Sequence, residues 1–192
     1  MSLVRVTAPT DLPVTLAEAK LHLRVDHADD DALITALIEA ATGVAESRLN
    51  RALLPQTWER VLDDFPDGAI RLGMPPVTSV ASVKYLRAAD GVEVTIDAAQ
   101  YSLKNAVLPG WVEPGYQLDW PTDVRRVADA VRVRFAAGYA NAATVPREIR
   151  QWILLTIGAM YANREALSDG RTAELPSRFV DGLIVPHKVV EL

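Results

Sequence analysis

The sequence predicts an α+β fold: a helical body built from N- and C-terminal segments, with a mostly antiparallel β-rich insertion between them. Three observations predict it. Apolar residues recur at three- and four-residue steps in two stretches near opposite ends of the chain. Between Pro55 and Gly138 the spacing changes to alternation rich in β-branched residues. That middle region is punctuated by Asp67-Gly68, Gly73-Met-Pro-Pro76, Asp90-Gly91, Pro109-Gly110 and Pro114-Gly115, pairs suited to turns and loops.

Taken in order, residues 1–13 read as an extended arm, because Pro9 and Pro13 lack the amide hydrogen that pairing or helix requires. Thr15 and Glu18 have the capping-box spacing, so a short helix begins there, with Leu16, Ala19 and Leu23 as its buried stripe. Asp26, Asp29, Asp30 and Asp31 crowd the next boundary, where carboxylates can cap a helix and meet its positive end. A second helix is expected from about Asp30 to Asn50, its apolar face carrying Leu33, Ile34, Leu37, Ile38, Ala41, Val44, Ala45 and Leu49.

Strands are expected at Thr57–Leu62, Ala69–Leu72, Val77–Tyr85, Val92–Ile96 and Val131–Ala136. Pro146 suits the first turn of a third major helix over residues 145–166, with Ile149, Trp152, Ile153, Ile157, Met160 and Tyr161 as its stripe. Residues 168–171 read as a loop, and 175–192 as a terminal segment without a long helix. The expected layout is therefore one domain over 1–192, with helices in 14–54, the β-rich insertion in 55–138, the long helix in 145–166 and the terminal segment in 175–192.

At 192 residues the chain can bury one substantial core. A formal charge of −5, from 20 Lys and Arg against 25 Asp and Glu, argues against sequence-independent phosphate binding over the whole surface. There is no cysteine, which removes disulfides and thiolate metal sites. The N-terminal stretch lacks the apolar core of a secretion signal, and no run of about 18 uncharged apolar residues occurs. A soluble product made in the cytoplasm is expected.

Catalytic signals are absent at the motif level. The sequence holds no G-x-S-x-G elbow, phosphate loop, dinucleotide fingerprint or H-E-x-x-H pair. His22, Asp26, His27 and Asp29 are the only local grouping with metal-ligand chemistry, at a spacing that is not diagnostic and that capping aspartates with surface or packing histidines explain better. Asp63, Asp64, Glu93, Asp97 and Asp119 have no spacing that assigns acid and base roles. No enzyme activity, cofactor or metal is expected.

Three sets of residues are candidates for contact. The third helix carries an apolar face broadened by Leu154 and Leu155, so Trp152, Leu154, Leu155 and Tyr161 are subunit-interface candidates. In the terminal segment, Leu183, Ile184 and Val185 lie between Gly182 and Pro186, flanked by Arg178 and Lys188. They either pack back on the body or anchor in a partner. Arg125, Arg126, Arg132 and Arg134 form a basic interval, and alternation puts Arg132 and Arg134 on one strand face. Solvation, a rim for a protein partner and DNA contact without base reading all fit that interval.

The run Val14-Thr-Leu-Ala-Glu-Ala-Lys-Leu-His-Leu-Arg-Val25, the acidic turn and Leu33–Leu49 resemble the N-terminal signature of the tailed-phage head–tail connector family, including its prophage and gene-transfer-agent relatives. The resemblance continues through Leu53-Leu-Pro-Gln-Thr-Trp58, Pro75-Pro-Val-Thr-Ser-Val-Ala-Ser-Val-Lys-Tyr85, Ala136-Ala-Gly-Tyr139, Val145-Pro146 and Tyr161-Ala-Asn-Arg-Glu165, covering roughly residues 12–185. It implies a structural adaptor subunit in a ring, commonly twelvefold, between the portal and downstream stopper or tail-completion proteins, with DNA passing through unread. It implies assembly in the bacterial cytoplasm, residence in the neck of the particle, and a terminal segment placed like portal-contacting tails, where Arg178, Leu183, Ile184, Val185 and Lys188 are the docking candidates, although Ile184-Val-Pro-His-Lys188 departs from the more basic ending of that family. A neighbouring neck or stopper protein is the alternative; a polysaccharide-active enzyme ranks below it.

Overall fold

The computed structural model describes residues 2–163 and 177–190. The chain divides into two units: Thr10–Leu54 with Tyr139–Lys188, and Met1–Pro9 with Pro55–Gly138 and Val189–Leu192. Helices from both ends of the sequence gather in one unit and the β structure in the other, so the α+β layout holds.

In the helical unit, α1 (Leu16–Leu23) starts at the expected capping box: the Glu18 amide donates to Thr15 Oγ1 at 3.2 Å, and the Thr15 amide donates to Glu18 Oε2 at 2.9 Å. Helix α2 (Asp31–Leu49) follows, then α3 (Arg147–Ala162), with Pro146 just before its first residue. Ile34, Ile38, Ala41, Ala45 and Leu49 of α2 meet Ile149, Trp152, Ile153 and Ile157 of α3 in a core that excludes water. Loss of that apolar surface from water is the main force holding the two chain ends together.

The acidic boundary before α2 works differently from expectation. Asp30 occupies the cap position without a side-chain capping bond. Its carboxylate instead accepts the Tyr161 hydroxyl from α3, and Asp31 accepts Lys20 of α1 at 2.6 Å. These carboxylates tie helices to one another.

In the β unit, a five-stranded antiparallel sheet has the order β1-β2-β8-β4-β5. Its strands are β1 (Ser2–Thr7), β2 (Gln56–Leu62), β4 (Val77–Leu86), β5 (Glu93–Thr95) and β8 (Val131–Ala137). A three-stranded sheet of order β3-β7-β6 uses β3 (Ile70–Arg71), β6 (Tyr101–Lys104) and β7 (Trp111–Pro114). Central β8 alternates as predicted: Val131, Val133, Phe135 and Ala137 are buried, while Arg132 and Arg134 are exposed.

Five strands occur where the alternation indicates them, with ends shifted by a residue or two. Three were not expected. The N-terminal arm is in fact β1, an edge strand with Arg5 opposite Trp58, and it stops at Thr7, before Pro9. Strands β6 and β7 are four residues each, too short to declare a period.

The terminal segment holds a short helix, α4 (Ser177–Gly182), and a 3-10 turn at Val185–His187. The predicted loop at 168–171 and the last residues of the predicted helix, 164–166, lie outside the described residues.

Candidate interaction surfaces

The first surface is the outward face of the five-stranded sheet. Register places Arg134 opposite Glu59, and Arg132 between Val61 and Lys84. The Arg134 guanidinium donates to Glu59 Oε2 at 2.8 and 3.1 Å. Lys84 Nζ donates to Glu93 at 2.7 Å, and that bond, aided by the nearby Arg132 and Arg134 charges, holds the Glu93 carboxyl below its ordinary pKa. Glu59 and Glu93 pair with two of the three cations on this face, Arg134 and Lys84, so its positive potential is largely offset. Arg125 lies elsewhere on the unit, at the end of β4, with its guanidinium across Gly91; Arg126 is exposed beside it. The basic interval therefore spans a strand face and a separate turn.

The second surface is the seat of the terminal segment on the helical unit. Asp181 of α4 accepts Arg48 of α2 at 2.7 Å, and Arg48 lies over the Trp152 ring at 5.5 Å. Arg51, buried just past α2, donates to the His187 carbonyl at 2.6 Å and to the Tyr139 hydroxyl at 3.3 Å. Ile184 is 5% exposed and belongs to the core, whereas Val185 is 65% exposed. Leu183 packs on the core partly buried, and Lys188 is exposed. A cavity of about 420 Å³ beside them is lined by Arg48, Leu49, Asn50, Asp181, Val185 and Lys188. The side chain of Arg178 lies outside the described residues.

The third is the outer side of α3. Trp152 is 3% exposed and sits inside its own unit's core, which leaves it almost no area to lose to a neighbour. Leu154 and Tyr161 pack on the core partly buried. Leu155 is half-buried and outside the core cluster, so it is the candidate with most to gain from a partner. Arg150 binds Glu18 and donates to the Pro13 carbonyl at 3.0 Å, which fixes the start of α3 against the chain entering α1.

Alternation marked the sheet face, but no periodic signal marked the apolar residues displayed by loops of the three-stranded sheet, Val107, Leu108, Tyr116 and Leu118. The turn pairs Pro109-Gly110 and Pro114-Gly115 were the available clue: large apolar residues beside them have no strand or helix face to bury them.

His27 meets Asp29 at 3.7 Å on the surface, and His22 lies beside Gly158 of α3. Among the described residues no three His, Cys, Asp or Glu side chains converge as a metal site, and no described helix is long and apolar enough to cross a membrane.

These features define a class first: an α+β interaction protein whose distinctive groups lie on surfaces. Residues 13–85 match the family model of the phage gp6-like head-tail connector protein. No curated protein matches the sequence. Among solved structures, a chain from the neck of an empty gene-transfer-agent particle, computed with C6 symmetry, is similar at 24% identity and a TM-score of 0.80. A chain from the virion of the native particle is similar at 25% identity and 0.81. One from the neck of the native particle, computed with C12 symmetry, is similar at 26% and 0.80. Each likeness covers 100% of this chain and 97% of the other. Over residues 13–85 the chain matches the phage head–tail connector family, and over its whole length it is similar to chains of gene-transfer-agent neck and virion particles. These likenesses are to structural connector, neck and virion chains.

Proposed function

We propose that this protein is the adaptor subunit of a ring between the portal and the downstream neck or tail proteins of a phage-like particle. The observation that carries this reading is end-to-end similarity to chains of neck particles at a TM-score of 0.80, joined to a family-model match that begins at Pro13. The ring is assembled in the bacterial cytoplasm, on the portal, and remains in the neck. Stopper or tail-completion proteins bind its far side, and DNA passes through without sequence recognition. The largely compensated outward sheet face fits a rim for a protein partner better than tight phosphate binding, because released counterions drive the latter.

The terminal segment supplies portal contact through its exposed members. Ile184 is already committed to the core, so Val185 and Lys188 are the docking groups open to a partner. Mixing the full-length chain with its cognate portal and imaging the product tests the function: a ring coaxial with the portal is the expected result, and portal particles bare of it would reject the reading. Val185→Glu with Lys188→Glu tests the docking surface, since neither change touches the core. Unaltered portal co-sedimentation by this pair would remove the terminal segment from the contact.

A further inference from the structure

We infer that the seam between ring neighbours includes a projection from the β unit of one copy, the Tyr116 turn, seated in a recess of the β unit of the next, at Val107, Leu108 and Trp111. This rests on the ring reading above and names the residues that close the ring.

Both halves of the contact are built on the three-stranded sheet. At one end of β7, the loop from β6 carries Val107 and Leu108, 60% and 43% exposed, beside half-buried Trp111. Two adjoining cavities of about 380 and 340 Å³ share Val107 and Trp111 in their walls. The loop has a defined shape. Asn105 Nδ2 donates to the Val77 carbonyl at 3.1 Å, and the Leu72 amide donates to the Gly110 carbonyl at 3.1 Å. Gly110 has φ +91°, and a side chain there would press on Val77 at 3.3 Å, so this approach needs glycine.

At the other end of β7 the chain turns at Gly115. Its amide donates to the Gln100 carbonyl at 2.8 Å, and the Leu118 amide donates back to the Gly115 carbonyl at 2.9 Å. Tyr116 stands at the head of this turn with 92% of its surface in water, the most exposed large apolar or aromatic residue described. Leu118, 47% exposed, flanks it. A tyrosine on a hydrogen-bonded turn is already ordered and loses little freedom on docking, and buried tyrosines are frequent anchors of interfaces.

The occupant follows from this arrangement. Rotational symmetry, as in the C6 and C12 neck particles that the chain resembles, repeats one contact between two different patches of the same chain. Here a recess and a projection of matching apolar character sit at opposite ends of one strand, up to roughly 16 Å apart at about 3.3 Å per residue. Tyr116 and Leu118 line neither cavity of their own copy, so projection and recess do not fill each other within a copy, but they can fill each other between neighbours in series.

The chain has no cysteine, which permits a direct test. Ala106→Cys and Gln117→Cys, made together in the full-length protein, leave the proposed anchors in place while flanking both halves. Rings of this variant on the cognate portal, treated with a short thiol–thiol cross-linker, should give a ladder of covalent oligomers. Either single variant should give none. Tyr116→Ala should keep its circular dichroism spectrum and weaken ring assembly by about tenfold or more. Portal-bound rings without a ladder, or Tyr116→Ala rings of wild-type affinity, would overturn the seam and leave the connector reading standing. Absence of the wild-type chain from the portal would overturn both.

Discussion

Arg51 shows how one side chain can organise a fold. It leaves the C-terminal end of α2 and reaches two distant segments, at His187 and Tyr139, while being 9% exposed. A buried guanidinium is tolerated only where its donors are matched, and removal of such a group strands its acceptors. Arg51→Ala is expected to lower the unfolding free energy by about 2–3 kcal/mol, measured by chemical denaturation. A change within error would mean that the terminal segment is held by Ile184 packing alone. Glu18 offers a pH test. The Thr15 backbone amide, then the Thr15 hydroxyl and Arg150, depress its carboxyl pKa against the opposing effect of burial. A depressed carboxyl stabilises the fold above its unfolded-state value and loses that contribution as pH falls through the folded value. Thermal unfolding should therefore show a shallower acid decline for Glu18→Gln below about pH 4.5 than for wild type. The difference is small because the side chain is 42% exposed and screened. Equal acid declines would remove the cap and the Arg150 pair as its cause.

Helix α3 carries both a core residue and a candidate for assembly, three positions apart. Trp152 lies in the core, so Trp152→Ala is expected to cost about 3–5 kcal/mol of stability by opening a cavity. Leu155 lies outside that core, so Leu155→Glu should leave denaturation nearly unchanged while reducing ring formation on the portal. Matched stability losses in the two variants would place Leu155 inside the monomer. The edge strand β1 makes a second element-level prediction. It covers β2, and its removal would expose a row of unpaired backbone groups next to Trp58. Deletion of residues 1–9 should lower the unfolding midpoint and raise light scattering as bared β2 edges pair between molecules. A truncated protein that stays monodisperse with an unchanged midpoint would show that β1 is dispensable.

At the scale of the whole molecule, the chain passes between its two units several times, so neither is a continuous stretch of sequence. The matching of residues 13–85 spans this division, taking in α1 and α2 of one unit and β2 through most of β4 of the other. A ring multiplies each modest contact by the number of neighbours, and a symmetric template raises their effective concentration. The isolated chain is expected to be a monomer by mass measurement at micromolar concentration and a ring when its portal is added. A stable ring without portal would show that the seam alone suffices.

Element types were legible in the residues wherever a period ran long enough: α2 and α3 by their three- and four-residue steps, and β8 by strict alternation that set Arg132 and Arg134 on one face. Local chemistry also determined the start of α1, because Thr15 and Glu18 satisfy each other's amides within a single turn. The resemblance to the connector family was legible for a related reason, since the matched residues 13–85 include α1 and α2. Features that depend on distant partners came from the packed fold. Ser2–Thr7 becomes a strand because β2, some fifty residues away, provides the hydrogen bonds. Asp30 and Asp31 serve Tyr161 and Lys20 as ties between helices, although their position in sequence suggests caps. Trp152 and Ile184 are interior while Leu155, Val185 and Tyr116 keep surface in water, a division set by which neighbours fill the space around each side chain. Hydrophobicity states that a residue gains by burial, and only the packed fold states whether that burial has already occurred.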